Sequence, residues 1–236
     1  MTIDGKGVRG PIAIDGPAAA GKTTIGRLIA EALGWPTLDT GLMYRAVGYT
    51  AASRGIDPND PDALEAIAQS TDVHAEGGRI SIDVDGSDVT ERLADPVVSR
   101  SASSVASQSR VRAVLVAKQR ELASASAGRI VMVGRDIGTI VLPQASTKIY
   151  LNAPAAERAR RRHIEESKGD NSASISYLNV LADIEARDER DKAREDSPLV
   201  AAKDAYVVES AGMTIEEVVR AVLDIAERVE SPNRST

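Results

Sequence analysis

The sequence predicts an α/β fold: a doubly wound parallel sheet of about five strands, interrupted by an inserted subdomain and a helical lid. Three observations lead there. Short apolar runs recur at residues 12–15, 37–39, 130–133, 148–151 and 205–208, each separated from the next by helical or inserted sequence. A glycine-rich turn, GPAAAGKT at residues 16–23, stands between the first run and a helical pattern, the order of a βα unit. Apolar residues at helical spacing close the chain between Val218 and Val229.

Taken in order, Ile12, Ala13 and Ile14 form the first strand and lead into a full match to GxxxxGK[ST]. Gly16 and Gly21 let the backbone turn tightly, so that successive N–H groups point inward at phosphate oxygens, backed by the positive end of the following helix. The Lys22 ammonium is expected to reach the β- and γ-phosphates of a nucleoside triphosphate, and the Thr23 hydroxyl to hold a bridging Mg2+. Ile25, Leu28, Ile29 and Leu33 give the helix its apolar stripe, and Gly34 stops it.

The second strand runs into DTGLMYR at residues 39–45, and the third into GRDIG at residues 134–138. Between them, about residues 57–108 read as an insertion. Its acidic, turn-rich part extends to Val98, and Ile80, Ile82 and Val84 alternate with polar residues before Gly86, as in a small antiparallel hairpin. About residues 155–192 are highly charged and read as a mobile helical lid. They carry the cluster RARRR at 158–162, a spacing that equally suits a solvated helix face. Thr214 and Glu217 form a capping-box pattern before the last helix, whose face carries Val218, Val219, Val222, Ile225, Ala226 and Val229. Residues 231–236 read as a disordered tail. One domain is expected, with core segments at about 10–56, 109–154 and 193–230.

Composition narrows the function classes. The chain of 236 residues is 42% hydrophobic, enough for a substantial core, and lacking phenylalanine it must build that core from aliphatic side chains. Without cysteine there are no disulfides or thiolate metal sites, and His74 and His163 alone cannot build a zinc centre. A net charge of −6 disfavours general nucleic-acid binding, and RARRR lacks the interleaved aromatics that stack bases. The N-terminus has no signal-type apolar segment, and no run of about eighteen apolar residues occurs. A soluble, cytoplasmic, monomeric protein is expected, with no membrane or nucleic-acid partner. Arginines far outnumber lysines. That excess fits phosphate handling, and it fits a compositional bias of the genome equally well.

Candidate ligand groups gather at predicted strand ends. Thr40, Tyr44 and Arg45 bring together a hydroxyl, an aromatic ring and a guanidinium suited to a second, smaller phosphorylated ligand. Arg135 and Asp136 fall at the same carboxyl edge as the phosphate loop, one charge suited to a phosphate and the other to a base. Arg187, Arg190, Asp191 and Arg194 share one face if their segment is helical, a spacing that also suits an intrahelical salt-bridge ladder.

With these segments assembled, the chain resembles the bacterial cytidylate kinases, nucleoside monophosphate kinases with a phosphate-binding loop. The resemblance runs through IAIDGPAAAGKTT, DTGLMYRAV, SRVRAVLVAKQRELA, GRDIGTIVLP, KIYLNA, ERARRR and RDERDKARE with the following SPL, nearly the whole chain. It implies transfer of the γ-phosphoryl group of ATP to CMP or dCMP, with Mg2+, and makes the 57–108 segment a monophosphate-binding insert. By matching position, Gly16, Pro17, Ala18, Ala19, Ala20, Gly21, Lys22, Thr23 and Thr24 would bind ATP, with Arg158, Arg161 and Arg162 closing over it. Thr40, Ser103, Arg110 and Asp136 would face cytosine, Tyr44 would pack on the base, Arg187 and Asp191 would approach the sugar, and Arg45, Arg135 and Arg194 the phosphate. Lys22, Arg135, Arg187 and Arg194 are the expected catalytic cations. Thr40 replaces a common serine and keeps the hydroxyl, whereas Val133 stands before GRD where an acid is frequent. The alternatives are a kinase of the same fold acting on UMP or shikimate, or a regulatory NTPase, although no NKxD guanine-reading motif is present.

Overall fold

Neighbouring residues of the first strand belong to opposite cores: Ile12 and Ile14 join one apolar cluster and Ala13 another. A strand buried on both sides needs helices on both faces of its sheet, and that requirement organises the protein. The computed structural model describes residues 7–76, 79–94, 98, 104–167 and 176–230.

In chain order, strand β1 (Ile12–Asp15) leads to helix α1 (Lys22–Leu33), then β2 (Thr37–Asp39), α2 (Gly41–Ser53) and α3 (Pro61–Gln69). An antiparallel sheet of β3 (Thr71–Glu76), β4 (Arg79–Val84) and β5 (Ser87–Asp88) follows, then a 3-10 turn at Thr90–Ala94. The chain continues through α4 (Ser109–Ala125), β6 (Val131–Val133), a π-turn at Ile137–Val141, β7 (Thr147–Asn152), α5 (Ala155–Glu166), α6 (Tyr177–Lys192), β8 (Tyr206–Glu209) and α7 (Ile215–Glu230).

The main sheet has the order β2-β6-β1-β7-β8, every pairing parallel. On one face, α1 and α7 cover Ile12, Ile14, Val131, Val133, Ile149 and Leu151; on the other, Ala13, Leu38 and Met132 meet side chains of α2, α3 and α4. This is the doubly wound parallel sheet expected. The predicted strands agree to within a residue at each end: β6 starts at Val131, β7 runs from Thr147 to Asn152, and β8 lies one residue later than its apolar run. At the last helix, Thr214 N–H donates to Glu217 Oε2 (2.8 Å) and Glu217 N–H to Thr214 Oγ1 (3.2 Å), so the capping box forms.

The 57–108 segment holds more than a hairpin. It begins with α3, which starts at Pro61 and is capped by Asp60, whose carboxylate accepts from Asp62 and Ala63 N–H. Leu64, Ile67, Ala68, Ile82, Val84 and Leu93 pack in the same cluster as Leu38 and Met132, so this segment extends the main core on one face. Ser103 and residues 231–236 lie outside the described residues.

Candidate active site

The phosphate loop is shaped by close approach to its neighbour. A Cβ on Gly16 would lie 2.1 Å from the Leu151 carbonyl oxygen of β7, and both Gly16 and Gly21 have positive φ (148° and 89°). Ala19 also takes a positive φ, 57°, unusual for a residue with a side chain. Beyond Gly21, α1 starts with no side-chain cap and no acid in its first turn, leaving its N–H groups and positive dipole end for an anion.

Lys22 is buried, and its Nζ donates to the Pro17 carbonyl at 2.6 Å. Burial, then the Arg135 guanidinium, pushes this ammonium well below the usual lysine range, and a polyanion beside it would favour the charged form. The Thr23 hydroxyl donates to Asp39 Oδ2 at 2.6 Å, and Asp39 Oδ1 accepts from Gly41 N–H. Asp15, at the end of β1, accepts from the N–H groups of Ile137 and Gly138, both at 2.7 Å, and ties the stem of the phosphate loop to the turn after Asp136. Burial pushes the Asp15 pKa up to about 6 against those two hydrogen bonds.

A second group of cations converges on the same edge. Asp191, nearly fully buried on α6, accepts from Arg135 Nε at 2.9 Å and from Arg194. Burial works against its ionised form, but Arg135, Arg194 and Arg187 outweigh it and hold Asp191 below the usual carboxylate range. Arg187 lies close enough to Arg135, Arg45 and Arg162 to feel their charge; burial and then Arg135 bring its pKa down to about 10. The Nε groups of Arg187 and Arg45 are buried with no hydrogen-bond acceptor among the described residues. Such groups call for an anion, since a buried unpaired donor costs roughly 1–3 kcal/mol.

At the far end of this group, Asp136 pairs with Arg112 of α4, and the Arg112 guanidinium lies 5.6 Å from the centroid of the Tyr44 ring. A carboxylate beside a guanidinium offers an acceptor next to donors, the complement of a heterocycle edge carrying an amino group next to a ring nitrogen.

A family model described as cytidylate kinase matches residues 12–228. The chain belongs to the cytidylate kinase family. It is 45% identical over 221 residues to a cytidylate kinase of Caldicellulosiruptor bescii, covering 92% of this chain and 96% of that one. A cytidylate kinase of Solibacter usitatus is 42% identical over 222 residues, covering 94% of each. Among solved structures, an uncharacterized protein from Eubacterium ventriosum superposes with a TM-score of 0.52 at 11% identity, covering 92% of this chain and 97% of that one, a likeness of fold alone.

Several residues that the resemblance to cytidylate kinases pointed to lie elsewhere than expected. Arg110 does not reach Asp136: it is exposed, paired with Asp62 and Glu65 of α3, and Arg112 takes the place beside Asp136. Helical phase explains the difference, because Arg112 shares the buried face of α4 with Val116, Gln119 and Ala123. Tyr44 is buried with Arg112 over its ring, so that ring supports the arginine, and burial pushes its hydroxyl up to about 12. The Thr40 hydroxyl donates to the Val133 carbonyl at 3.0 Å. Val133 itself packs under α1, where a Cβ on Gly26 would lie 2.5 Å from its Cγ1; an acid there would sit in the core.

The lid arginines separate as well. Arg158 is buried and holds the phosphate loop from outside. Arg161 turns to Glu157 and to Ser210 at the end of β8, and Arg162 pairs with Glu166 while remaining near Arg187. Arg190 is exposed and stays out of the cluster, and Arg194 joins it from just beyond the end of α6. Asp15, Asp39 and Arg112 are the residues that sequence reasoning missed. Each had a signal: a carboxylate closing an otherwise apolar strand, the first residue of DTGLMYR, and the helical phase of SRVR.

Proposed function

We propose that the protein transfers the γ-phosphoryl group of ATP to CMP or dCMP, releasing ADP and CDP or dCDP. The observation that carries this is the arrangement at one sheet edge: a phosphate loop with buried Lys22, a cluster of Arg135, Arg187 and Arg194 about Asp191 with Arg45 near Arg187, and the buried Arg112–Asp136 pair. The loop suits the donor phosphates, the arginines the acceptor phosphate, and the Arg112–Asp136 pair the acceptor base.

An acceptor phosphate oxygen attacks the γ-phosphorus, a new P–O bond forms, and the bridging bond to the β-phosphate breaks with its electrons going to ADP. The acceptor oxygen is already anionic near neutrality, so the protein supplies no general base. Its work is to align the two nucleotides and to neutralise crowded phosphates with charges fixed beforehand. Lys22 serves the transferring group, Arg45, Arg135 and Arg194 the acceptor phosphate, and Arg187 both sides through its central place among the cations. Asp191, besides holding Arg135 and Arg194 in position, is suited to the acceptor sugar.

The oxygen pair of Thr23 and Asp39 suits a hard cation, and we assign these two residues to Mg2+ carried in with the triphosphate. When bound, Mg2+ would neutralise part of the triphosphate charge. We place segment 155–192 over the donor as a closing lid and segment 57–108 against the acceptor. We also place the enzyme in the cytoplasm as a monomer acting on free nucleotides. The net negative charge favours free nucleotides over a nucleic-acid strand, and among the described residues no helix is long and apolar enough to cross a membrane.

The test is an acceptor panel with purified protein: ADP formation from ATP and Mg2+ with CMP, dCMP, UMP, AMP, shikimate or no acceptor. CMP and dCMP are expected to give the largest kcat/KM. A preference for another acceptor overturns the substrate assignment, and equal ADP release without acceptor overturns the kinase reading.

A further inference from the structure

Ala18 lies in the middle of the phosphate loop, yet both polar groups of its backbone are held by side chains from outside the loop. Its N–H donates to Asp188 Oδ1 at 3.0 Å, and its carbonyl accepts from Arg158 Nη1 at 2.8 Å. The two side chains close on each other, with Arg158 Nη2 2.7 Å from Asp188 Oδ2, and Arg158 Nε donates to the Ala153 carbonyl just after β7 at 2.8 Å. Arg158, Asp188 and Ala18 are all about nine-tenths buried or more. The next loop residue, Ala19, packs with Ala159, Val180 and Ile184, a small apolar cluster belonging to α5 and α6.

Helix α6 carries more than this contact. One residue before Asp188 is Arg187, and one turn on are Asp191 and, past the helix end, Arg194, the groups of the acceptor cluster. A single helix therefore holds the donor loop with one side chain and the acceptor cluster with its neighbours. We propose that Asp188 and Arg158 are positioning residues that clamp Ala18 and so set the donor loop in register with the acceptor-binding end of α6.

The chemistry favours this over a purely stabilising role. A buried ion pair is a weak source of stability, because the desolvation of its two charges offsets most of their attraction. What apolar replacements of similar volume cannot reproduce is the pair of hydrogen bonds to Ala18. In-line phosphoryl transfer is sensitive to that placement, since a shift of about 1 Å in a reacting group costs on the order of a hundredfold in rate.

The inference rests on the kinase reading above, and its test separates the two. In the wild-type protein, the Ala18 amide, followed by NMR, is expected to exchange slowly with solvent, free and with a non-hydrolysable ATP analogue plus CMP; rapid exchange in either state overturns the clamp whatever the acceptor. Two variants then test the role: Asp188→Asn, and the double substitution Arg158→Met with Asp188→Leu. Both are expected to lower kcat about ten- to a hundredfold in the folded fraction while the dissociation constant for CMP moves less than about threefold; the double variant, which leaves the Ala18 backbone groups without their partners, is expected to remain folded at the assay temperature with a lowered Tm. A double variant with near wild-type kcat shows that the pair does not position the loop. Loss of activity only in proportion to unfolded protein shows a merely structural role. A large rise in the ATP-analogue dissociation constant in the double variant, with Asp188→Asn unaffected in kcat, shows that Arg158 contacts ATP itself. If the panel reveals an acceptor other than CMP, the same kinetics are measured with that acceptor, and the clamp stands or falls separately.

Discussion

Arg112 and Asp136 form a buried ion pair, their side chains only 6% and 8% exposed, and the arginine is braced by the Tyr44 ring. A pair this dry is expensive to assemble and more expensive to break, because one partner left alone is an uncompensated buried charge. Its cost is offset where a ligand uses the remaining hydrogen-bonding capacity of both groups. Cytosine would do so, its N4 amino group donating to the carboxylate and its N3 accepting from the guanidinium. Uracil inverts both, leaving polar groups unpaired at roughly 1–3 kcal/mol each. Asp136→Asn is expected to weaken CMP use and to narrow the ratio of kcat/KM between CMP and UMP, because an amide can turn a donor toward O4. Side-by-side kinetics with both acceptors decide the point. An unchanged ratio means that Asp136 does not read the base.

Lys22 donates to the Pro17 carbonyl, and burial depresses its pKa. Removing the ammonium therefore relieves a desolvated charge and leaves an intact loop. Lys22→Ala is expected to fold normally by circular dichroism and to lose at least about a hundredfold in turnover, since the missing charge acts mainly on the transferring phosphoryl group. Near wild-type turnover would remove Lys22 from the mechanism.

The sheet was legible because its signals are local: five apolar runs bounded by turns, a glycine pattern between the first run and a helix, and a capping box before the last helix all describe neighbours in sequence. Helix α3 escaped notice although Asp60 and Pro61 mark its start, because Leu64 and Ile67 are too few to set a period against the acidic background. At the site, motif position was a poorer guide than helical phase. Arg110 and Arg112 differ by two residues, which on a helix is more than half a turn, enough to send one to solvent and the other to Asp136. Arg158 illustrates the other limit: an arginine-rich helix does not reveal which guanidinium faces a ligand and which is held by Asp188, a contact fixed only when α5 and α6 pack together.

Arg194 shares Asp191 with Arg135, so its removal leaves that carboxylate still paired. Arg194→Ala is accordingly expected to spare the fold and to raise the KM for CMP about ten- to a hundredfold, the usual worth of a charge-assisted contact, with slower transfer. Binding of an ATP analogue without CMP is expected to stay nearly unchanged. Calorimetry with each nucleotide alone is the measurement, and equal weakening of both assigns the residue to the scaffold or to the donor side.

Asp15 sets two opposing effects against each other. Burial disfavours its charged form, and the N–H groups of Ile137 and Gly138 favour it; burial wins, and the pKa rises from 3.8 to about 6, with the neighbouring Asp136 charge adding to the rise and Lys22 opposing it. The sign of the stability effect follows from proton counting. Between these two values the folded protein binds more protons at Asp15 than the unfolded chain, so this group's contribution is fully present below pH 3.8 and is lost as pH rises through about 6. The loss is of order 3 kcal/mol, from a rise of about two units at ~1.4 kcal/mol each. Asp15→Asn cannot ionise. The stability of wild type minus that of the variant, from urea titrations without nucleotide, is therefore expected to fall between pH 4.5 and pH 7 and to level off above. A difference that grows with pH would mean that the two backbone hydrogen bonds outweigh burial, and that the carboxylate is at ease where it holds the Asp136 turn to the phosphate loop.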